Sequence, residues 1–309
     1  MNRRTFLRSS AVLSAFAPAA LRAAETKAAT GTKPKRAHKK GFMFGTLGGA
    51  AAKKFSVLER FKLLKAAGFH GVEVASALNQ QEMLAARDAT GLEIPSVVIS
   101  THWTHPLSSP NPSTRATCLE GLKQGLRDAK AYGASSVLLV PAVVNKDISY
   151  SDAWTRSIEE IKKAVPLAEQ LGVAIAIENV WNGFLMSPLE SAAYVDGFKS
   201  PMVKWHFDVG NVVNTGWPDQ WIRALGSRIV KIHVKEFSRK LRDEKGPRSG
   251  FGVELMTGDS DWPAVMAALD SVGYTSGWMI TEQSRVPNLA DDAEWLSHLS
   301  TKLDQIFAA

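Results

Sequence analysis

Residues 173–180 read VAIAIENV, an apolar run that delivers a carboxylate, Glu178, near its C-terminal end. Apolar runs of this length are typical of a strand that is buried on both faces of a parallel sheet. Burying an unpaired carboxylate is costly, so Glu178 needs a partner, which we expect to be a metal ion or a structural arginine. The run therefore predicts a buried strand with a functional residue at its tip.

The same pattern recurs in three later runs, VKWHFD, IVKIH and GWMITE, which end at Asp208, His233 and Glu282. Each of these residue types can hold a divalent metal. The C-terminal ends of the strands in a parallel β/α barrel meet at one face, where active sites are built. We therefore predict that Glu178 and these three residues converge at that face and form a metal site.

Strand and helix patterns alternate eight times from residue 41 to the end of the chain, with the first strand predicted at 42–46. The 269 residues from 41 to 309 suit one (β/α)₈ barrel of about 250 residues. No dinucleotide-binding glycine motif and no fixed-period repeat is found in the sequence. The prediction is an α/β fold, a single (β/α)₈ barrel without a second domain.

The N-terminal residues differ in character from this barrel. The sequence NRRTFLR at 2–8, followed by an apolar run at 9–20, resembles a twin-arginine export signal, with an arginine-rich disordered tail as the alternative. The apolar run is too short for a stable membrane span. We expect a signal peptide at 1–29, cut between Ala19 and Ala29, and a basic linker at 30–40. The leader predicts export to the periplasm by the twin-arginine translocase.

The basic charge of the chain belongs to this N-terminal segment. Residues 1–40 contain ten Lys or Arg and one Glu, so the net charge of +7 for the whole chain leaves −2 for residues 41–309. A nucleic-acid partner is therefore not predicted for the barrel. The single cysteine, Cys118, cannot form an internal disulfide and is expected to be a buried thiol in a helix.

The order Glu, Asp, His, Glu at the ends of strands five to eight resembles the sugar isomerase/epimerase superfamily of xylose-isomerase-like TIM barrels. The motifs IEN, FDVGN, IHVKEF and GD-x-DW-x-AV carry this resemblance, which extends over residues 41–309. It implies that Glu178, Asp208, His233 and Glu282 ligate one divalent ion, and that Glu178 and Glu282 also form the catalytic acid/base pair. Three carboxylates with one imidazole favour Mn²⁺, with Mg²⁺ or Co²⁺ as alternatives, over a structural zinc site.

The chemistry that the resemblance implies is removal of a proton beside a carbonyl, which gives an enediolate. If one glutamate removes the proton and the other returns one, a sugar is isomerised or epimerised. Phosphorylated sugars are scarce outside the cytoplasm, so the leader favours a non-phosphorylated sugar. Two alternatives stay open: a lyase acting on 3-ketoglycosides with the same carboxylate pair, and a non-catalytic exported sugar-binding barrel.

Further residues at the predicted functional face are candidates for substrate binding: His102, Trp103, Trp181, Asn211, Lys235 and Arg239. An aromatic face such as that of Trp181 can stack on a sugar, although Trp181 can equally roof the barrel, and His102 and Trp103 can equally pack a loop. Glu73 and His206 are expected to support the metal ligands from a second layer. The sequence leaves the oligomeric state open.

Overall fold

The structure, a computed structural model, describes residues 35–48, 50–285 and 291–309. The strands within these residues are β1 (Ala37–Met43), β2 (Gly71–Ala75), β3 (Ser96–Val98), β4 (Ser136–Leu139), β5 (Ala174–Glu178), β6 (Val203–Asp208), β7 (Ile229–Val234) and β8 (Ser276–Thr281). All are parallel and pair in chain order, and the pairing of β1 with β8 closes the sheet. The predicted (β/α)₈ barrel is confirmed.

Helices follow the strands along the chain. The α-helices of the described residues are α1 (Ala50–Lys54), α2 (Val57–Ala66), α3 (Gln80–Thr90), α4 (Pro112–Tyr132), α5 (Tyr150–Lys162), α6 (Val165–Leu171), α7 (Pro188–Asp196), α8 (Val209–Val213), α9 (Pro218–Leu225), α10 (Arg239–Lys245), α11 (Trp262–Ser271) and α12 (Asp292–Ala308). None of them is both long and apolar enough to cross a bilayer.

Local sequence signals set the helix ends. The side chain of Asn111 caps the start of α4, where Pro112 occupies the first turn, and Gly133 ends the helix with a left-handed φ of 77°. The sequence pattern of residues 152–171 predicts one helix, but the chain forms α5 and α6 with a break between them. Pro166 lies in the first turn of α6, and proline is poorly tolerated inside a helix.

The first strand begins earlier than predicted. It starts at Ala37, so residues 37–40 belong to the barrel and not to the predicted linker. The basic residues that suggested a linker are paired, because the Lys39 ammonium lies 2.6 Å from Glu93 and the Lys40 ammonium lies 2.9 Å from Asp304. The predicted signal peptide at 1–29 and the linker residues 30–34 lie outside the described residues.

The burial of β5 explains the apolar composition of residues 173–180. Every residue of β4 and β5 is buried, as expected for strands with helices on one side and the packed barrel interior on the other. Glu178 is the last residue of β5 and is 7% exposed. Cys118 is buried as predicted, and burial raises the pKa of its thiol to about 11.

Candidate metal centre and active site

The C-terminal ends of β5 to β8 bring four potential ligands together. Glu178 and Asp208 are the last residues of β5 and β6, His233 is the penultimate residue of β7, and Glu282 directly follows β8. Asp208 and His233 are register partners across β6 and β7, so they leave the sheet at the same level. One ligand atom of each residue lies within 4.8 Å of the others. The structure thus places together the four side chains that were predicted to converge.

His233 lies between carboxylates on both sides of its ring. Nδ1 is 2.8 Å from Glu178 Oε1 and 3.4 Å from Glu282 Oε2, and Nε2 is 2.7 Å from Glu73 Oε2. Burial alone would lower the pKa of His233, but these carboxylates hold it well above its usual range. Glu73 fixes the ring so that Nδ1 faces the cluster.

Asp208 uses its two oxygens differently. Oδ1 accepts a hydrogen bond of 2.7 Å from the Asn211 backbone amide and caps helix α8. The Gly-Asn pair after Asp208 favours a tight loop, with a helix N-cap as the alternative, and the structure has the helix. Oδ2 is buried and accepts no hydrogen bond from the described residues, although the Lys235 ammonium lies 2.9 Å away. The helix fits because Gly210 has no Cβ, which would lie 2.8 Å from the Lys235 carbonyl oxygen. Asp208 is therefore both a helix cap and a potential ligand.

Lys235 supplies a positive charge beside the cluster. Its ammonium is 2.6 Å from Glu282 Oε2 as well as close to Asp208. Burial would lower the pKa of Lys235, but the two carboxylates raise it. Burial would likewise raise the pKa of Glu282, but Lys235 and His233 hold it well below its usual range. Glu282 is therefore an ionised acceptor.

For the other two carboxyl groups, burial outweighs the neighbouring positive charges, and the net pKa shift is upward. Burial raises the pKa of Glu178 to about 7 although His233 opposes the shift, and it also raises the pKa of Asp208. Three acidic groups so close together repel one another when ionised, and burial strengthens that repulsion. Added positive charge relieves it.

The donor set fits a divalent cation. Three carboxylates and one imidazole nitrogen offer mostly oxygen ligands, and the buried Oδ2 of Asp208 is oriented into the cluster without a hydrogen bond from the described residues. The Nε2 contact of His233 with Glu73 is the arrangement that holds metal-bound histidines in proteins. Glu178, Asp208, His233 and Glu282 are therefore one group that could hold a metal. Glu73, His206 and His233 form a second, overlapping group.

Glu73 and His206 form a layer behind these potential ligands. The His206 ring centroid lies 4.1 Å from that of His233, and its Nδ1 is 3.9 Å from Glu73 Oε1. Neither ring nitrogen of His206 has a hydrogen-bond partner among the described residues. Burial, together with the charges of His233 and Lys231, holds the pKa of His206 well below its usual range, so the ring is neutral.

A cavity of about 510 Å³ adjoins the cluster and is lined by Glu178, His233 and Glu282. Five of the six residues predicted to contact substrate also line it: His102, Trp103, Trp181, Asn211 and Lys235. Trp103 is 50% exposed, whereas His102 is buried and its Nδ1 accepts a 3.2 Å hydrogen bond from the Val140 amide. Burial lowers the pKa of His102 to about 4. The structure thus gives His102 a supporting contact in addition to its place on the cavity wall.

Aromatic residues fix another part of the wall. Trp181 Nε1 donates a 2.9 Å hydrogen bond to the Asn211 carbonyl, and its ring centroid lies 5.0 Å from that of Phe251. Trp181 therefore has a defined position from which a flat apolar face can meet a substrate.

Arg239 lies elsewhere. Its guanidinium donates to the carbonyls of Val213 and Gly216 at 3.0 and 2.8 Å, and the residue does not line the described cavity. The expected contact with a substrate hydroxyl is therefore replaced by contacts that hold the loop after α8. Arg248 and Phe251 line the cavity instead, and neither was predicted from the sequence. They belong to the long segment after β7. Its charge-rich composition suggested a solvated loop, so a contact of this segment with the cavity was not expected.

The closed parallel barrel and its cluster of acidic residues and histidine at the strand ends define a (β/α)₈ protein with a candidate metal centre. The chain belongs to the xylose isomerase-like TIM barrel family, whose model matches residues 61–299. This confirms the family resemblance seen in the sequence.

Relatives of known activity are sugar epimerases. L-ribulose-5-phosphate 3-epimerase UlaE of Escherichia coli (strain K12) is 24% identical over 273 residues, which are 82% of this chain and 93% of the relative. Among solved structures, an L-ribulose 3-epimerase has a TM-score of 0.72 at 19% identity and covers 88% of this chain and 95% of its own. A D-psicose 3-epimerase has a TM-score of 0.71 at 16% identity, with 88% and 100% covered. These structures share the fold of this chain.

Proposed function

We propose that this protein is a divalent-metal-dependent isomerase or epimerase that acts on a non-phosphorylated sugar. The observation that carries the proposal is the cluster in which Glu178 and Glu282 share a site with Asp208 and His233. A binding protein needs no pair of carboxylates able to exchange protons, whereas an epimerase does. The epimerase activity of the relatives supports the same conclusion.

Both members of the proposed carboxylate pair line the cavity beside the cluster. When bound, the divalent ion, which we propose to be Mn²⁺ with Mg²⁺ or Co²⁺ as alternatives, supplies Lewis-acid stabilisation of negative charge on the substrate oxygens. Glu178 comes from β5 and Glu282 follows β8, so the two reach the cavity from either side of β6 and β7. One carboxylate takes the proton beside the carbonyl, and the other returns a proton to the opposite face, which inverts that carbon.

Neighbouring residues position this pair. Glu73 orients His233, while the Lys235 ammonium lies 2.6 Å from Glu282 Oε2 and keeps that carboxyl group ionised. Trp181 and Phe251 form an apolar part of the wall that can pack against the C–H face of a sugar and limit access of water.

Export is part of the proposal and rests on the leader sequence with Arg3 and Arg4. We propose that the protein is periplasmic, which favours a non-phosphorylated substrate even though the relative UlaE is named for a phosphorylated sugar. Cell fractionation of the wild type and of an Arg3→Lys, Arg4→Lys double variant tests this. Periplasmic wild type with a retained double variant is expected, and retention of both would refute export.

A lyase acting on 3-ketoglycosides is the second candidate. Ketose 3-epimerases typically carry a histidine where this chain has Asn211 and an acidic residue where it has Phe184. Phe184 has no ionisable group and is 2% exposed, so this position supplies an apolar side chain in place of the acid. The same proton abstraction beside a 3-keto group, followed by loss of the substituent at C1, would release an aglycone.

Product analysis tests the proposal. Mn²⁺-loaded protein is incubated with free ketoses and 3-ketoglycosides, and products are identified by NMR. A new epimer or isomer is expected, and Glu178→Gln and Glu282→Gln should each abolish it, while the control Glu93→Gln, a surface residue paired with Lys39, should not. Release of an aglycone would favour the lyase, and binding without any product would favour the sugar-binding barrel.

A further inference from the structure

A second cavity, of about 260 Å³, lies beside the cavity of the metal centre. Val180, Trp181 and Asn211 line both cavities. The hydrogen bond from Trp181 to the Asn211 carbonyl fixes the indole, so Trp181 has a defined position between the two cavities. The two cavities are therefore neighbours, and a substituent on a sugar in the first cavity has to pass Trp181 to reach the second.

The second cavity is chemically unlike the first. Its wall is formed largely by apolar side chains: Phe184, Leu185, Met186, Val212 and Trp221. None of the described residues that line it is charged. Three amide side chains line it: that of Asn179 donates to the Asp208 carbonyl and that of Asn211 donates to the Asn179 carbonyl, so these two serve the fold, and Asn214 is the third. A phosphate there would lose its hydration without a cationic partner, whereas an apolar group would gain by burial.

The wall is held in place before any ligand binds. Leu185 has a left-handed φ of 55°, a conformation that a leucine adopts at a cost. Its amide donates a 3.0 Å hydrogen bond to the Tyr150 hydroxyl, and the Met186 amide donates a 3.0 Å bond to Glu190 Oε2. These contacts fix the loop after β5 and preserve the cavity, so little ordering is required on binding.

The volume suits one ring. An engineered protein cavity of about 150 Å³ is large enough to bind benzene, and the space here is larger. We infer that the substrate is a keto sugar with an uncharged apolar substituent, such as an aromatic aglycone, that lies in this second cavity. The inference rests on the proposed function for the sugar end and names the class of substrate.

Calorimetry with a matched pair of ligands tests this inference. The Mn²⁺-loaded protein is titrated with the methyl and the phenyl 3-ketoglucoside, and we expect the phenyl glycoside to bind at least tenfold more tightly. Met186 lines the cavity but is 61% exposed, so Met186→Asp adds a charge there without disturbing the core. This variant should reduce the phenyl-to-methyl preference at least fivefold.

Leu189→Asp is the matched control. Leu189 is 75% exposed and lies three residues further along the chain, away from the lining of the second cavity, so its substitution should keep the wild-type preference. Equal affinity for the two glycosides, no binding of either, or a preference that Met186→Asp leaves intact would overturn the inference. If the preference behaves as expected but no proton exchange accompanies binding, the proposed reaction fails while the assignment of the second cavity stands.

Discussion

His233 is held from both sides, with Glu73 at Nε2 and Glu178 at Nδ1. In the absence of metal, both nitrogens face carboxylates, which favours the protonated ring. His233 would have to give up one ring proton to hold a divalent ion from the side that faces the cluster, and Nε2–H could still donate to Glu73. Glu73 is therefore a positioning residue whose effect on the metal passes through His233.

Glu73→Gln is expected to lower Mn²⁺ affinity about tenfold or more, because the amide orients the ring without the negative charge that strengthens the imidazole as a ligand. Isothermal titration calorimetry measures this. Glu93→Gln, which removes a surface carboxylate paired with Lys39, serves as the control and should bind Mn²⁺ like the wild type. Unchanged affinity in Glu73→Gln would mean that the contact has no role in metal binding.

His102 predicts a pH dependence of stability. Its pKa falls from 6.5 to about 4 on folding, chiefly through burial, so the folded chain favours the neutral ring that accepts from the Val140 amide. The contribution of His102 is complete above pH 6.5 and is lost as the pH falls towards 4. Between pH 7 and pH 5 this loss amounts to about 2 kcal/mol.

Urea unfolding at the two pH values checks this prediction with His102→Gln as the reference. The wild type should lose about 2 kcal/mol more stability than the variant over that interval, because the variant lacks the titrating ring. Equal losses in the two proteins would show that His102 does not titrate as the buried geometry requires.

The side chains at strand ends were predictable because their position follows from strand direction alone. Asp208 and His233 needed no knowledge of loops, since parallel strands of a barrel end at one face. Arg239 and Arg248 lie in the segment after β7, where α10 and a 3₁₀ helix at Pro247–Phe251 decide which arginine meets the cavity. Sequence spacing does not encode that path, so Arg239 was expected at the cavity and Arg248 was missed.

At the scale of elements, the side chain of Asn179 joins the exits of β5 and β6. Its Nδ2 donates to the Asp208 carbonyl at 2.7 Å, and its Oδ1 accepts from the Asp208 amide and from Trp205 Nε1 at 3.0 and 3.1 Å. This buried amide therefore supports the spacing between Glu178 and Asp208 in addition to the pairing of β5 with β6.

Asn179→Ala should lower the free energy of unfolding by about 3 kcal/mol, because it leaves buried donors and an acceptor without partners. It should also weaken Mn²⁺ binding, since Asp208 loses its backbone support. Urea unfolding and calorimetry measure the two effects. Asn145→Ala removes an exposed amide that bonds to the Asp147 backbone, and it should cost less than 1 kcal/mol. Similar small losses in both variants would contradict this account of the strand exits.

How well the bounds of each strand and helix could be predicted depended on its residue types and its length. β2 and β6 have the bounds that their apolar alternation indicated. The early start of β1 was not predicted because Lys39 and Lys40 resemble linker residues in composition. In the structure their ammonium groups pair with carboxylates on neighbouring elements. Helix α8 has five residues, too few for a periodic signal, so Asp208 was predicted as the strand exit that it is, while the helix that it also caps was only an alternative.

At the scale of the whole molecule, the candidate metal centre exists only when β5 to β8 are assembled. An ion that binds the folded chain and not the unfolded chain therefore stabilises the entire barrel. At a concentration one hundred times its Kd, Mn²⁺ should raise the free energy of unfolding by about 2.7 kcal/mol.

Urea unfolding with and without Mn²⁺ measures this stabilisation. Asp208→Asn keeps the size of the side chain and its capping oxygen but removes the charge, so the variant should lose most of the Mn²⁺ effect. An equal effect in the variant would place the bound metal elsewhere.

Barrel closure was predictable as a whole because eight strand and helix patterns recur within a chain of suitable length. The substrate was harder to predict from the sequence, because the cavity walls come from loops whose paths depend on tertiary contacts. Trp181 illustrates this, since its hydrogen bond to the Asn211 carbonyl makes it a boundary between two cavities.

Solvent-deuterium incorporation tests the central claim. The claim is that one of Glu178 and Glu282 removes the proton from the carbon next to a sugar carbonyl and the other returns a proton to it. The Mn²⁺-loaded protein is incubated in D₂O with free ketoses and 3-ketoglycosides, and NMR locates the label. We expect deuterium on the carbon next to the carbonyl, with Glu282→Gln reducing the rate on the order of a thousandfold while sugar binding changes little. No label in any sugar, with metal demonstrably bound, would contradict the proposal and favour a sugar-binding barrel.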